Sequence, residues 1–545
     1  MGKKIISWIK RRPYKTFFLI LILSYFLLVF IVALPLLRFA FFPFRLLGGE
    51  KSYLILFQNN YELRPTGGFI SAFGILTVRN GFPVSLNFED VYGSVDDHPS
   101  IEPPPPLGSL LAHPSYHGHT FRDANFYPDF PRSTEELEIF LHKTRPFQKI
   151  DGVFAVDMKF VENWLAKVGS VEVDGTVFDS THLLEQMEEV VANIDLHDLQ
   201  DLEKRKSGIK QLTRQLAKKS LLPWNVPKFL KTVVDGFREK HILAYFKDES
   251  IQALVREKNW GGILEPQTAE DFLAIVDANY GGGKSNRYVK RSVYYFIDLE
   301  SGRSELDVRY DHSGEYNIPL STDYRGYVRA YLPADHSVKS AELQGHEGNL
   351  FYAGKTFTTP IRANSTVHFD FDFPPSTLDE LTYRLNLWKQ PGTDGDFYHV
   401  AVRVPTGMQL TSDQFEVTEN IATFRGFLND DTKLIFTLEK DPYPPRVISQ
   451  NLKELNLLEI EWNEPLGPSS LHSEEWKISD SDIQNPQSDR IIIDSVKFEG
   501  TKLIIKTRGM TLQPEERYVL DISGVSDFHG NSTGKRTYTF FQRLE

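Results

Sequence analysis

The chain has no cysteine in 545 residues. Disulfides, zinc–thiolate sites, iron–sulfur clusters and thiol nucleophiles are therefore excluded. An exported chain built this way must reach stability through its apolar cores alone. Acid is also missing from one region. Residues 1–50 hold eight Lys and Arg against one acid, Glu50, although the whole chain carries a formal charge of −12. The remainder is thus more acidic than the total. An acidic body argues against nucleic acid as a partner, because phosphate neutralisation needs an excess of Lys and Arg. No nucleophile elbow, H-E-x-x-H or EF-hand loop occurs, and no high-copy repeat.

What is present is one long apolar run. "TFFLILILSYFLLVFIVALPLL" (16–37) is 22 residues without a charge. That length crosses a hydrocarbon core of about 30 Å. Lys3, Lys4, Lys10, Arg11, Arg12 and Lys15 precede it. The positive-inside rule then places a basic tail (1–15) in the cytoplasm, a transmembrane helix at 16–37, and the rest of the chain outside the cell membrane. Pro35, Leu36, Leu37 and Arg38 follow where a signal peptide would end in small residues, so the reading is an uncleaved single-pass anchor.

Beyond the anchor, strand and helix patterns mix from 51 to 286. "SYLILFQNN" and "GGFISAFGILTV" read as strands, and "RNG" as a hairpin turn before "FPVSLNFEDVY". Ser133 and Glu136 fit a capping box that opens a helix near Ser133, with Leu137, Phe140 and Leu141 as its buried stripe. "KIDGVFAVD" reads as a buried strand, and "TAEDFLAIVDANYG" (268–281) as helical. This is an α/β (α+β) pattern. After "GGGKSN" the period changes to two. "TVHFDFDFP" puts Val367, Phe369, Phe371 and Phe373 on one face, so 287–440 reads as an all-β sandwich. "DPYPPRV" links it to a second small sandwich over 441–545.

Several clusters carry possible chemistry. Arg64, Arg122, Asp123 and Asp129 combine fixed positive charge with carboxylates, which suits an anionic ligand; the same residues also suit internal pairing and turn ordering. Lys206, Lys210, Arg214 and Lys218 recur every four residues along one helix face, as an anion stripe or as solvated surface. "ANYGGGKSN" (278–286) is a near-miss Walker A with Ala278 at the first glycine and a strand after it, so it reads as a junction. His113, His117 and His119 have the spacing of a zinc site or of a plain polar loop.

"LFQNNYELRPTGGFI", "FRDANFYPDFPRS", "IDGVFAVD" and "HILAYFKDESIQALVREKNWGGIL" running to "VDANYGGGKSNRYVKRSV" resemble a bacterial membrane-anchored family catalogued as domain of unknown function 4012. The resemblance covers roughly 50–440. The last 105 residues resemble a bacterial Ig-like module, through "PPRVISQN", "IEWNEPLGPSSL" and "GVSDFHGN".

A weaker similarity is that of one anchor followed by "IDGVFAVDMKFVENWLAKVGSVEVDG" to LytR-CpsA-Psr proteins. These transfer glycopolymers from a polyprenyl-pyrophosphate carrier to the cell wall. The resemblance implies a LytR-CpsA-Psr-like α/β domain and a glycopolymer phosphotransferase. It implies Arg64, Arg122 and Asp123 as catalytic, Arg64, Arg122 and Arg214 on the pyrophosphate, and Asp90 and Asp123 holding magnesium. Glu89-Asp90 stands where that family has Arg-Asp, and Gln211 where it has a second helix arginine.

Two function classes follow. One is a membrane-anchored extracytoplasmic cell-envelope protein that binds or transfers a lipid-linked glycopolymer or cell-wall polymer. The other is a non-catalytic scaffold or adhesin-like module that binds glycan or protein through its β-sandwiches.

Overall fold

The computed structural model describes residues 49–91, 94–95, 101–110, 119–191, 199–265, 271–318, 320–373, 382–405, 408–418, 420–440, 443–467, 476–480, 491–509, 517–522, 524–527 and 530–541. The apolar run at 16–37 lies outside them, as do His113 and His117. Among the described residues no helix is long and apolar enough to cross a membrane. The chain is mostly β, and it divides into two units: residues 1–264 with 390–393, and 265–389 with 394–545.

The first unit is built on a five-stranded mixed sheet. Strands β1 (Glu50–Asn59), β2 (Phe69–Arg79) and β3 (Phe82–Asp90) run antiparallel in sequence. The β2–β3 connection is a two-residue hairpin, with Arg79 opposite Phe82 and both Asn80 and Gly81 at positive φ. That geometry is what "RNG" favours. After a short turn, α1 (Leu107–Leu110), the chain passes a 3-10 turn at Phe121–Asp123 and enters α2 (Phe130–Thr144).

Then come β4 (Gly152–Asp157), α3 (Met158–Val168), the small hairpin β5 (Val171–Val173) and β6 (Thr176–Phe178), α4 (Leu183–Val191), α5 (Leu199–Ser220), α6 (Val226–Arg238), β7 (Ile242–Phe246) and α7 (Glu249–Glu257). The sheet order is β3-β2-β1-β4-β7, with β4 parallel to β1.

Each face of this sheet carries its own core. Leu54, Leu56, Phe73 and Val153 meet Leu137, Phe140 and Leu141 of α2 on one side. Tyr53, Phe246, Ile251 and Val255 close the other under α7. The stripe read from the sequence is therefore the buried face of α2.

The start of α2 differs from the expected one. The helix opens at Phe130 rather than near Ser133, and the Asp129 carboxylate caps it by accepting from the Arg132 amide at 3.0 Å. Pro131 sits inside the first turn, where a missing N–H costs nothing. Glu136 is not the return partner of a capping box; it meets His119 Nε2 at 2.9 Å.

The second unit corrects another reading. "DFLAIVDAN" is not helical but a strand, Asp271–Asn279, buried on both faces and hydrogen-bonded between Tyr324–Pro333 and Thr382–Trp388. A strand buried on both sides loses the two-residue alternation that identifies one. Two seven-stranded sheets enclose a common core. Val367, Phe369 and Phe371 point into it, as the alternation requires.

Asn279 accepts from the Gly281 amide and donates to Ser285, and a 3-10 turn at Ser285–Arg287 leads into the strand Val289–Asp298. The Walker-like text is thus a strand-to-strand turn. The last residues form a four-stranded and a three-stranded sheet around Leu458, Trp462, Leu503 and Leu520. Asp527 closes their final turn by accepting from the Asn531 amide at 2.9 Å.

Candidate functional site

Two loops at one end of the first unit's sheet carry the main charged cluster. The first follows β1 and contains "NNYELRPTGG" (59–68); the second is the segment 119–127 before α2. Gly68 lets them approach. Its backbone lies so close to β1 that a Cβ would stand 2.4 Å from the Asn59 carbonyl carbon. Its own carbonyl accepts from Asn125 Nδ2 at 2.8 Å, which ties the two loops together. Gln58 Nε2 donates to Thr66 Oγ1 at 3.0 Å and braces the first loop from the strand. Residues 390–393 complete this wall: Gln390 Nε2 donates to the Arg64 carbonyl, and Asn60 Nδ2 to the Gly392 carbonyl at 3.2 Å.

Inside this frame the arginines and the aspartate converge. Arg64 is 3% exposed; its Nη2 lies 3.2 Å from Glu62 Oε1 and 3.6 Å from Asp123 Oδ1. Its guanidinium also lies 5.4 Å from the Phe69 ring centre. Arg122 Nε stands 3.9 Å from the other oxygen of Asp123, and the Arg122 side chain keeps 16% exposure. One fully buried carboxylate is therefore flanked by two guanidiniums. The four charges of Glu62, Arg64, Arg122 and Asp123 balance. Buried charges of this kind persist only when paired. Three buried side-chain oxygens on the same loops, Asn60 Oδ1, Thr120 Oγ1 and Asn125 Oδ1, have no hydrogen-bond partner among the described residues. Buried acceptors are ordinarily satisfied, so such a grouping marks a place where a ligand donor or water completes the set.

The other sequence candidates fall elsewhere. Asp129 is the helix cap, and its second oxygen accepts from the Leu264 amide at 2.9 Å. Arg214, Lys210 and Lys218 are exposed on α5, which packs on α3 and β5; among the described residues Arg214 forms no ion pair with the cluster. Asp90 is buried at the end of β3, opposite Ala72. His119 is engaged by Glu136 and stands edge-on to Phe140 at 5.3 Å.

A magnesium held by Asp90 and Asp123 does not match this donor set. The Asp123 carboxylate is already committed to two guanidiniums, and among the described residues no three His, Cys, Asp or Glu side chains converge as metal ligands. Mg²⁺ needs several oxygens with little competing positive charge.

Sequence reasoning missed a second site. On the outer face of one seven-stranded sheet, cross-strand pairing aligns His368, Asp307, Tyr294 and His399 in one row, and Asp370, Glu305, Phe296 and Ala401 in the next. The small Ala401 side chain leaves a hollow of about 170 Å³ walled by Tyr294, Phe296, His399, Glu305 and Asp307. Burial, with Arg425 nearby, lowers the His399 pKa and keeps that ring neutral. Asp307 accepts from His368 Nδ1 at 2.7 Å; that bond first, outweighing burial, raises the His368 pKa. Arg309 lies 4.1 Å over the Tyr294 ring. The signal was present only as polar–aromatic alternation on four separate strands, and register alone brings those residues together.

A strongly perturbed group elsewhere is structural. Burial pushes Asp277 up to about 6, against the pull of Arg291. Tyr324 donates to it at 2.6 Å, and Arg291 reaches on to Asp396. Asp277 and Arg291 are closed off from solvent within the fold, so their pairing is internal.

No curated protein matches this chain. Solved structures align over parts of it. The N-terminal part of the bacterial S-layer protein SbsC has 16% identity, 18% of this chain, 24% of that one and a TM-score of 0.17. A Bacillus subtilis protein described as the transcriptional regulator yvhJ has 14% identity, 38% and 76% coverage and a TM-score of 0.22. The Listeria innocua protein Lin1025 has 11% identity, 39% and 80% coverage and a TM-score of 0.22. At such scores none carries an argument about this chain. The family model is more telling: the model described as "Protein of unknown function (DUF4012)" matches residues 48–191, the stretch that holds Arg64, Arg122 and Asp123. Residues 48–191 therefore match the DUF4012 model, the family to which "NNYELRPTGGF" and "RDANFYPDFP" pointed; of the resemblance read over 50–440, the model covers only this part.

Proposed function

We propose that this is a single-pass, extracytoplasmic cell-envelope protein whose first unit, LytR-CpsA-Psr-like in fold, binds the pyrophosphate of a polyprenyl-linked glycopolymer at Arg122. The observation that carries the reading is the ion-paired Arg64–Asp123–Arg122 arrangement; the unsatisfied amide oxygens of Asn60 and Asn125 are acceptors, suited to hydroxyls of the attached sugar rather than to the phosphates. Arg122 is the contact residue, because its side chain alone among the three reaches solvent. Arg64 and Asp123 are positioning residues that fix the Arg122 guanidinium. A guanidinium suits a phosphate because its planar fork donates two parallel hydrogen bonds. The balanced charge of the cluster means that affinity comes from directed hydrogen bonds and from the lipid, not from a net positive field. The transferase that the resemblance implies would form a bond from an acceptor hydroxyl oxygen to the sugar-side phosphorus as the bridging P–O bond breaks, with the lipid monophosphate leaving and the hydroxyl proton passing to that phosphate or to water.

The test is binding of a labelled polyprenyl pyrophosphate to the full chain. Arg122→Ala is expected to weaken it at least about tenfold, the equivalent of 1.4 kcal/mol, while Arg214→Ala leaves it unchanged. Equal binding by wild type and Arg122→Ala removes the reading.

The hollow at Ala401 favours a second reading, in which the second unit holds a neutral glycan. Aromatic rings and acceptor carboxylates beside a neutral imidazole suit a sugar ring, which has apolar C–H faces and hydroxyl donors. Binding of the polymer that survives Arg122→Ala but falls with Tyr294→Ala assigns recognition to that hollow.

A further inference from the structure

The turn between α5 and α6 exposes "LLPW" (221–224) to solvent. Leu221 is 77% exposed and Trp224 66%. Leu230 and Val234, one helical turn apart on α6, continue the apolar surface at 57% and 56%. The turn is nonetheless well tied down. Asn225 is buried and donates through Nδ2 to the Lys219 carbonyl at 3.0 Å, and Ser220 accepts from Trp164 Nε1 at 2.7 Å. A rigid turn that presents two leucines and a tryptophan outward departs from the usual soluble surface, where large apolar side chains are scattered singly.

Charge identifies what covers it. In an acidic chain this patch is bordered by lysines: Lys218 and Lys228 are exposed, and Lys231 is exposed while paired with Asp235 at 2.7 Å. Tryptophan and leucine flanked by lysine is the composition of a segment lying in the lipid headgroup region. The tether is short as well. Twelve residues separate Leu37, the end of the apolar run, from β1 at Glu50. Fully extended they span about 40 Å, so β1 begins within about that distance of the bilayer.

We infer that the α5–α6 turn, with the adjoining face of α6, is a second membrane contact that seats in an anionic lipid surface. The inference rests on the anchored topology proposed above.

The absence of cysteine permits a direct test. The full chain carrying Leu221→Cys, or separately Leu230→Cys, is labelled with an environment-sensitive fluorophore and reconstituted into vesicles of phosphatidylcholine and phosphatidylglycerol. Phe427→Cys, 69% exposed in the second unit, is the control. The labels at 221 and 230 are expected to shift to the blue and to be quenched several-fold by a nitroxide lipid, with the control unaffected. Removing the anionic lipid is expected to reduce the effect. Labels at 221 and 230 that stay water-like, while the chain remains with the vesicles through an alkaline wash, overturn the inference. A chain that the wash strips from the vesicles overturns the anchored topology instead; quenching seen before the wash then still supports the contact.

Discussion

Asp123→Ala is expected to destabilise the first unit by about 3 kcal/mol, read as a lower urea midpoint for that unit. Asp123 is fully buried between Arg64 and Arg122. Removing it leaves a buried guanidinium with part of its compensation gone. Breaking a buried pair from one side costs about 3–5 kcal/mol, because the remaining charge keeps its desolvation penalty. The lower end applies because Glu62 still lies 3.2 Å from Arg64. Asp123→Asn keeps the shape and removes the charge, so it separates packing from electrostatics. A double variant, Arg64→Met with Asp123→Leu, is expected to recover much of the loss, since an apolar pair of similar volume replaces a buried ion pair at little cost. The double variant is also expected to weaken ligand binding, because the Asp123 carboxylate no longer helps to orient Arg122. An Asp123→Ala protein as stable as wild type would mean that the cluster does not exist in solution.

Gly68→Ala is the second large effect. The new methyl group would stand 2.4 Å from the carbonyl carbon of Asn59 and 2.6 Å from the Asn60 nitrogen. Both are backbone atoms of the β1 end, so no side chain can swing aside. Overpacking of this kind costs about 1–3 kcal/mol, here at the upper end. The same shift would part the Asn125–Gly68 hydrogen bond that joins the two loops. Thermal unfolding and ligand binding should therefore fall together. At Gly175, where nothing stands within 4 Å of a Cβ but φ is +85°, the same substitution should act through backbone strain alone and leave binding intact.

What could be read from the sequence was what local patterns encode. The hairpin at Asn80-Gly81, the stripe of Leu137, Phe140 and Leu141, and the alternation through Val367, Phe369 and Phe371 each depend on neighbours a few residues away. The pairing of Arg64 with Asp123 was approached through side-chain chemistry and family resemblance; periodicity says nothing about it. Two readings failed where tertiary context outweighs local pattern. The strand at Asp271–Asn279 is buried on both faces and so mimics a helix in composition. At α2 the Ser133–Glu136 spacing matched a capping box, yet Asp129 two residues before Pro131 was the stronger start. The hollow at Ala401 could not be read at all, because five of its walls come from three strands whose register is set only on folding.

The most direct test of the central claim is photocross-linking. A polyprenyl pyrophosphate with a photoreactive group next to its phosphates is irradiated with the full chain, and the adducts are mapped by mass spectrometry. The account predicts adducts within 59–68 and 119–127, reduced by Arg122→Ala. Adducts confined to the strands around Tyr294 and His399, or to the exposed face of α5 at Arg214, would contradict it.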